Sequence, residues 1–234
     1  METMDTALNL VRSRDRSRHA APQVFEFLKE RIVSLELKPG AVLSRAELQE
    51  SFGLSSTPVR DALLKLQEED LVEIFPQHAT VVSPIDLAQA RHAQFLRRSI
   101  ELEVVHTLAL APDADIVRRL RELIDEQRRL ARINDLARFN SLDLDFHRAL
   151  CEGAGVPDLW SLVRRHSGHI DRLRRLHLPV KGKAKQILED HISIVDAIAA
   201  GEPAQAQDHV RDHLSKSLAF SSEIRGRFPD YFRN

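Results

Sequence analysis

Leu54-Ser55-Ser56-Thr57-Pro58-Val59-Arg60-Asp61-Ala62-Leu63-Leu64-Lys65-Leu66 is the stretch on which the reading of this chain turns. Its start is polar, and Ser55 or Ser56 can accept from amides that lack an intrahelical partner. Pro58 costs little in a first turn, where its missing N–H would be unpaired in any case. Val59, Leu63 and Leu66 then make an apolar stripe, with Arg60 and Lys65 off it. The pattern predicts the second helix of a helix-turn-helix, which in DNA-binding versions lies in the major groove.

The neighbouring sequence supports that placement on both sides. Upstream, Val24, Phe25, Leu28, Ile32 and Leu35 recur at helical spacing and stop before Lys38-Pro39-Gly40. Ser44-Arg45-Ala46-Glu47 is a capping-box signature for a short helix carrying Leu48 and Phe52 inward, with Gly53 suited to the C′ position. Downstream, Leu71-Val72-Glu73-Ile74-Phe75 reads as a strand and Thr80-Val81-Val82 as its return, joined by Pro76-Gln77-His78-Ala79. A hairpin directly after a helix-turn-helix makes a winged module.

These residues resemble the GntR family of bacterial transcription regulators. The match runs through Leu37-Lys38-Pro39-Gly40, Leu43-Ser44, Glu47-Leu48, Thr57-Pro58-Val59-Arg60, Ala62-Leu63, Leu66 and Leu71-Val72, in order and spacing over about sixty residues. The resemblance implies a double-stranded DNA operator read by Arg45, Ser55, Ser56, Thr57, Arg60, Lys65 and His78. Three positions depart from the family pattern: Ser56 stands where an Arg is usual, Arg45 where an acidic residue is usual, and Ala79 where the wing usually has Gly.

Composition fits a mainly α-helical protein. Of 234 residues only 5% are aromatic, while Leu, Ala and Arg are frequent. Cys151 is the sole cysteine, so no intrachain disulfide is possible, which suits a reducing compartment. Neither a signal-peptide pattern nor a membrane-length apolar run is present, and a cytoplasmic location is expected. Net charge is −1, and residues 1–84 hold ten Lys/Arg against thirteen Asp/Glu, so the basic footprint usual in a DNA binder is missing at the domain level. It survives in Arg12, Arg14, Arg16 and Arg18, which read as a solvated tail or as an arm contacting phosphates.

The expected organisation is a flexible tail over 1–19, a winged module over 20–84 and an all-α domain over 85–229. Six helices are predicted in the last: to about Ala111, Pro112 to about Ile133, Asp135–Glu152, Pro157–Leu178, Ala184–Ala200 and Pro203 to about Arg225. Three of their apolar stripes contain polar residues. Phe139, Asp143, Phe146, His147 and Leu150 share one face. His191 sits among Ile187, Ile194, Val195 and Ile198, and His213 beside Ala206, Val210 and Leu214. Burying such groups unpaired is expensive. Either each finds its own hydrogen-bond partner, or the four share a divalent cation in an N₃O set suited to zinc or nickel.

Leu142-Asp143-Leu144-Asp145-Phe146-His147, Glu189-Asp190-His191, the His213 position and Arg97-Arg98-Ser99-Ile100-Glu101 resemble the FCD effector domain of the FadR subgroup. The resemblance implies that Asp143, His147, His191 and His213 hold a divalent metal, and the six-helix count points to the VanR-like branch. It also implies a small carboxylate or sugar-acid effector, a homodimer and a pseudo-palindromic operator. Arg97 is the expected carboxylate grip, with Glu101 orienting it, and His169 and Arg172 are weaker candidates. The expected function is a regulator, most simply a repressor released by its effector. The alternatives are a metal-dependent bundle enzyme with a winged interaction domain, and a regulator whose metal is purely structural. No nucleophile, general base or HExxH-type motif favours the enzyme.

Overall fold

The computed structural model describes residues 19–75, 79–216 and 218–233, which are mainly α-helical. The chain divides into two compact units, Met1–Leu87 together with Arg225–Asn234, and Ala88–Ile224. The division thus falls three residues after the expected 84/85 boundary. The last ten residues, up to 229 expected to finish the bundle, group with the winged module instead.

In the first unit, α1 (Ala20–Val33) is followed by β1 (Val42–Leu43), α2 (Arg45–Phe52), α3 (Ser56–Glu68), β2 (Val72–Phe75) and β3 (Ala79–Val82). Ser44 Oγ accepts from the Glu47 amide at 3.3 Å, and Gly53 ends α2 at φ 59°, a left-handed conformation that glycine adopts without a Cβ penalty. α3 buries Val59, Ala62, Leu63 and Leu66 against α1 and α2, in a core with Val24, Leu28, Ile32 and Leu48. The strands form an antiparallel sheet in the order β1-β3-β2, with Val72 opposite Val82 and Phe75 opposite Ala79. β1 was not expected, because two residues are too few to show an alternating pattern. The Arg12–Arg18 segment and His78 lie outside the described residues.

The second unit comprises α4 (Leu87–Leu110), α5 (Ala114–Arg132), α6 (Leu136–Gly153), α7 (Pro157–His166), α8 (Gly168–His177), α9 (Lys183–Ala199) and α10 (Pro203–Ser215). Seven helices rather than six therefore run from Leu87 to Ser215, and helix count no longer singles out the VanR-like branch. The single helix expected over Pro157–Leu178 is interrupted at Ser167, whose Oγ donates to the Val163 carbonyl at 2.7 Å, just before Gly168. A serine bonded back to position i−4 bends a helix, and glycine is a poor helix former. The last expected helix is also broken: α10 stops at Ser215, and α11 (Ser221–Arg227) follows a turn. α5 packs on α6 and α9, and α9 on α10, around Phe139, Phe146, Leu150, Ile194 and Val210. Among the described residues no helix is long and apolar enough to cross a membrane.

Candidate metal centre and nucleic-acid interface

α6 projects Asp143 and His147 from successive turns of its inward face, α9 contributes His191 and α10 contributes His213. One ligand atom from each of these four buried residues lies within 4.8 Å of the others. Phe146 stacks on the His191 ring at 3.9 Å between centroids and Trp160 on the His147 ring at 6.3 Å, so packing fixes both imidazoles.

The outer nitrogens decide the chemistry of the inner ones. His147 Nδ1 stands 2.8 Å from Glu101 Oε2, His191 Nδ1 3.0 Å from Gln127 Oε1 and His213 Nδ1 3.2 Å from Asp190 Oδ2. Each of these partners is an acceptor, so in the neutral ring the proton sits on Nδ1 and Nε2 is a bare lone pair. His147 Nε2 and His213 Nε2 nevertheless face each other at 3.4 Å. His191 Nε2 and Asp143 Oδ1 have no hydrogen-bond partner, although both are fully buried. Three lone pairs and a carboxylate oxygen converging in a buried space are acceptors without a donor. A divalent cation would satisfy these lone pairs, and the N₃O set fits zinc or a neighbouring first-row ion.

Charge around the centre is paired. Burial alone would raise the Asp143 carboxyl, but Arg174, bonded to Asp143 Oδ2, and the adjacent imidazoles hold it well below the usual carboxylate range. Glu101 is held at about 2: burial opposes this, and the Arg97 charge together with His147 outweighs burial. Burial, with Arg97 adding to it, lowers His147 to about 4, and burial with the nearby His213 takes His191 well below its ordinary value. Both rings are therefore neutral at physiological pH, as metal ligation requires.

Next to Asp143 and His213 lies a cavity lined by Asn140, Arg174, His177 and Lys183 together with apolar side chains. A water-sized sphere finds only about 20 Å³ in it, room for roughly one water. Burial lowers the Lys183 ammonium. None of the four residues expected to bind an effector lines this cavity. Arg97 and Glu101 are an i,i+4 pair behind His147, with Arg97 Nε 2.5 Å from Glu101 Oε1. Arg172 is fully buried, donating through Nε to the Gly168 carbonyl at 3.3 Å and lying 3.0 Å from His169 Nδ1 through a terminal nitrogen. Two positions, about 200° around the helix axis, separate Arg172 from Arg174, and on α8 the residue that faces Asp143 is Arg174. The Arg-Arg pair Arg174-Arg175 after Leu173 was the available signal; Asn140, His177 and Lys183 carried none.

The other face of interest is the start of α3. Ser55 is its N-cap and uses no side-chain cap bond, and Ser55, Ser56 and Thr57 are exposed. Exposed first-turn amides and hydroxyls suit phosphate oxygens. Arg60 is two-thirds exposed, its Nε 3.8 Å from Asp61. Arg45 stands exposed at the first residue of α2. Lys65 lies differently: about 13 Å along the axis from Ser56 by helical rise, it holds its Nζ 4.4 Å from the Phe25 ring of α1.

A winged helix-turn-helix module followed by a helical bundle with a His₃Asp cluster defines a two-domain class of DNA-binding protein, and the comparisons name its family. Residues 20–82 match the family model for bacterial regulatory proteins of the gntR family, and residues 92–216 match the FCD domain. The chain belongs to the GntR family and carries an FCD domain; it is a DNA-binding transcription regulator. It is 37% identical over 205 residues, 88% of this chain and 86% of that protein, to an uncharacterized HTH-type transcriptional regulator in an unstable DNA locus of Streptomyces ambofaciens. It is 28% identical to the HTH-type transcriptional repressor RspR of Escherichia coli, across 90% and 92% of the two chains. The E. coli McbR/YncC structure superposes with a TM-score of 0.74 at 20% identity, covering 90% of this chain and 99% of that one.

Proposed function

We propose that this protein is a cytoplasmic homodimeric repressor whose hold on a pseudo-palindromic operator is set by a small organic acid bound at a divalent metal in the bundle. One observation carries the reading. Asp143 Oδ1 and the Nε2 atoms of His147, His191 and His213 converge with every Nδ1 tied to an acceptor, beside a cavity furnished with Arg174 and Lys183.

Asp143, His147, His191 and His213 would hold the ion, with Glu101, Gln127 and Asp190 fixing the three rings. The bound ion would act as a Lewis acid with coordination positions open to a carboxylate. Arg174 presents a guanidinium suited to a second carboxylate contact, and Lys183 and Asn140 supply further donors. Two copies of α3 would then enter successive major grooves, with Arg60 placed for guanine O6 and N7. An effector changes operator affinity only through different affinities for the two states of the dimer. The names of relatives favour repression, and catalysis has less to draw on: Asp145 is a surface residue paired with Arg148 at 2.8 Å.

Calorimetry with a panel of hydroxy acids, sugar acids and dicarboxylates, with and without chelator, tests the reading. The expected result is uptake of at least one acid by the metal-loaded protein and none after chelation. Absence of acid binding in both states would favour a regulator whose metal is structural. Turnover of an acid that is lost in His147→Ala would favour the enzyme.

A further inference from the structure

The residues after α10 lie beyond the matches to both family domains, which end at 82 and 216. They are nevertheless built into the winged unit. α11 is followed by a 3₁₀ turn, Pro229–Tyr231, and Phe232 then pairs with Ile85 in a parallel bridge. The Ile85 amide donates to the Tyr231 carbonyl at 2.7 Å, and the Arg233 amide donates to the Ile85 carbonyl at 3.0 Å. Ile85 and Phe232 are both buried. Arg233 reaches Glu73 of β2 at 2.5 Å and Asp86 at 3.7 Å. The chain passes between the two units twice, at Leu87–Ala88 and at Ile224–Arg225, and this pairing joins the two crossings on the winged side.

Upstream, the same segment begins at the proposed ligand site. His213 stands two residues before the end of α10. The Phe220 ring lies 4.1 Å from the His177 ring, and Lys183 Nζ is 5.7 Å from the Phe220 ring. His177 and Lys183 are cavity walls. Because the cavity admits about one water, an organic acid fits only if a wall moves, and two of the walls, His177 and Lys183, lie beside the Phe220 ring.

We infer that residues Arg225–Arg233 are a strap that completes the winged module, and that occupancy of the bundle site reaches the wing along His213, Phe220, α11 and the Phe232–Ile85 pairing. The inference rests on the ligand-site reading above and adds its route of regulation. A shift at Phe220 has seven residues of helix to carry it to the paired segment. That pairing is two-state in character, being either formed or released, so a small displacement has a discrete effect on the linker that ends the hairpin.

Hydrogen–deuterium exchange on the full chain and on a chain ending at Phe228, each with chelator or Zn²⁺, tests this. The single Trp160 beside His147 serves as a fluorescent reporter of zinc uptake in the bundle. The shortened chain should lose at least tenfold of the protection at the Ile85 amide. It should keep the Trp160 response to zinc but lose the zinc-dependent change in exchange across 71–87. Unchanged protection at Ile85, or a zinc response in 71–87 that survives the truncation, overturns the inference. Because the shortened chain can fail to fold, Phe220→Ala in the full chain provides the second arm: zinc uptake is retained and the response across 71–87 falls, and a full response there also overturns it. If the full chain takes up no zinc, the metal reading itself fails and the route falls with it. Uptake with a silent linker removes the route alone.

Discussion

Glu101 commits both of its carboxylate oxygens to neighbours, Oε2 to His147 Nδ1 at 2.8 Å and Oε1 to Arg97 Nε at 2.5 Å. It is fully buried, so these contacts replace its hydration entirely. Glu101→Gln keeps the shape but removes the charge that holds the His147 proton on Nδ1 and that balances Arg97. Metal affinity should fall by about ten- to a hundredfold, the usual cost of losing a partner behind a ligand. Competition against a chromogenic chelator measures this, and an unaltered affinity would mean that Glu101 serves only Arg97.

Removing metal should soften the bundle. A ligand present at a thousand times its Kd contributes about 4 kcal/mol, and a chain of this size moves its Tm by about 2–4 °C per kcal/mol. EDTA should therefore lower the Tm by roughly 10 °C, with recovery on adding Zn²⁺. His191→Ala should melt at one temperature in either buffer. A wild-type melting curve indifferent to chelator would sink the assignment.

Arg60→Ala should weaken operator binding by about ten- to a hundredfold, since one bidentate guanine contact is worth about 1–3 kcal/mol. Its exposure predicts a Tm within a degree of wild type. Gel-shift titration beside a thermal melt gives both numbers, and equal affinities for the two proteins would rule the contact out. Lys65→Ala is expected to have a smaller effect on binding, because its ammonium is held over Phe25.

Burial, reinforced by the Glu101 charge, pushes the Cys151 thiol up to about 12 from an ordinary value of 9.0. The folded protein should leave Cys151 unreacted with a thiol-specific disulfide reagent at pH 8, and the urea-unfolded protein should react fully. The linkage has a definite sign. Between pH 9 and 12 the unfolded chain releases this proton and the native chain keeps it, so this residue lowers stability as pH rises past 9. Rapid labelling of the native protein would contradict the buried placement.

The parts legible in the sequence were those written in periodicity and caps. The stripe of Val59, Leu63 and Leu66, the Ser44 cap and the hairpin each rest on contacts within a few residues, which local pattern records. Asp143, His147, His191 and His213 were legible because a polar residue inside an apolar stripe stands out. The cavity wall was not. Arg174 and Arg172 lie two positions apart in an Arg-rich helix, and only tertiary packing decides which one meets Asp143. Gln127 and Asp190 behave likewise: each orients a histidine on another helix or one 23 residues away, with no local signature. The pairing of Ile85 with Phe232 spans the whole of the second unit and left no trace in either segment.

Around the centre, each carboxylate already has a cation of its own: the buried Asp143 has Arg174, the buried Glu101 has Arg97 and the partly buried Asp190 has Lys216. Without metal the cluster is close to neutral and offers an anion little attraction. A divalent ion would leave two positive charges uncompensated in a region that excludes water, and a dianion restores the balance. Occupation would then be sequential, with the ion first and the acid second. Zinc alone would then reach the linker and the acid would complete the response, so that metal sufficiency and metabolite supply are read in two steps at one site.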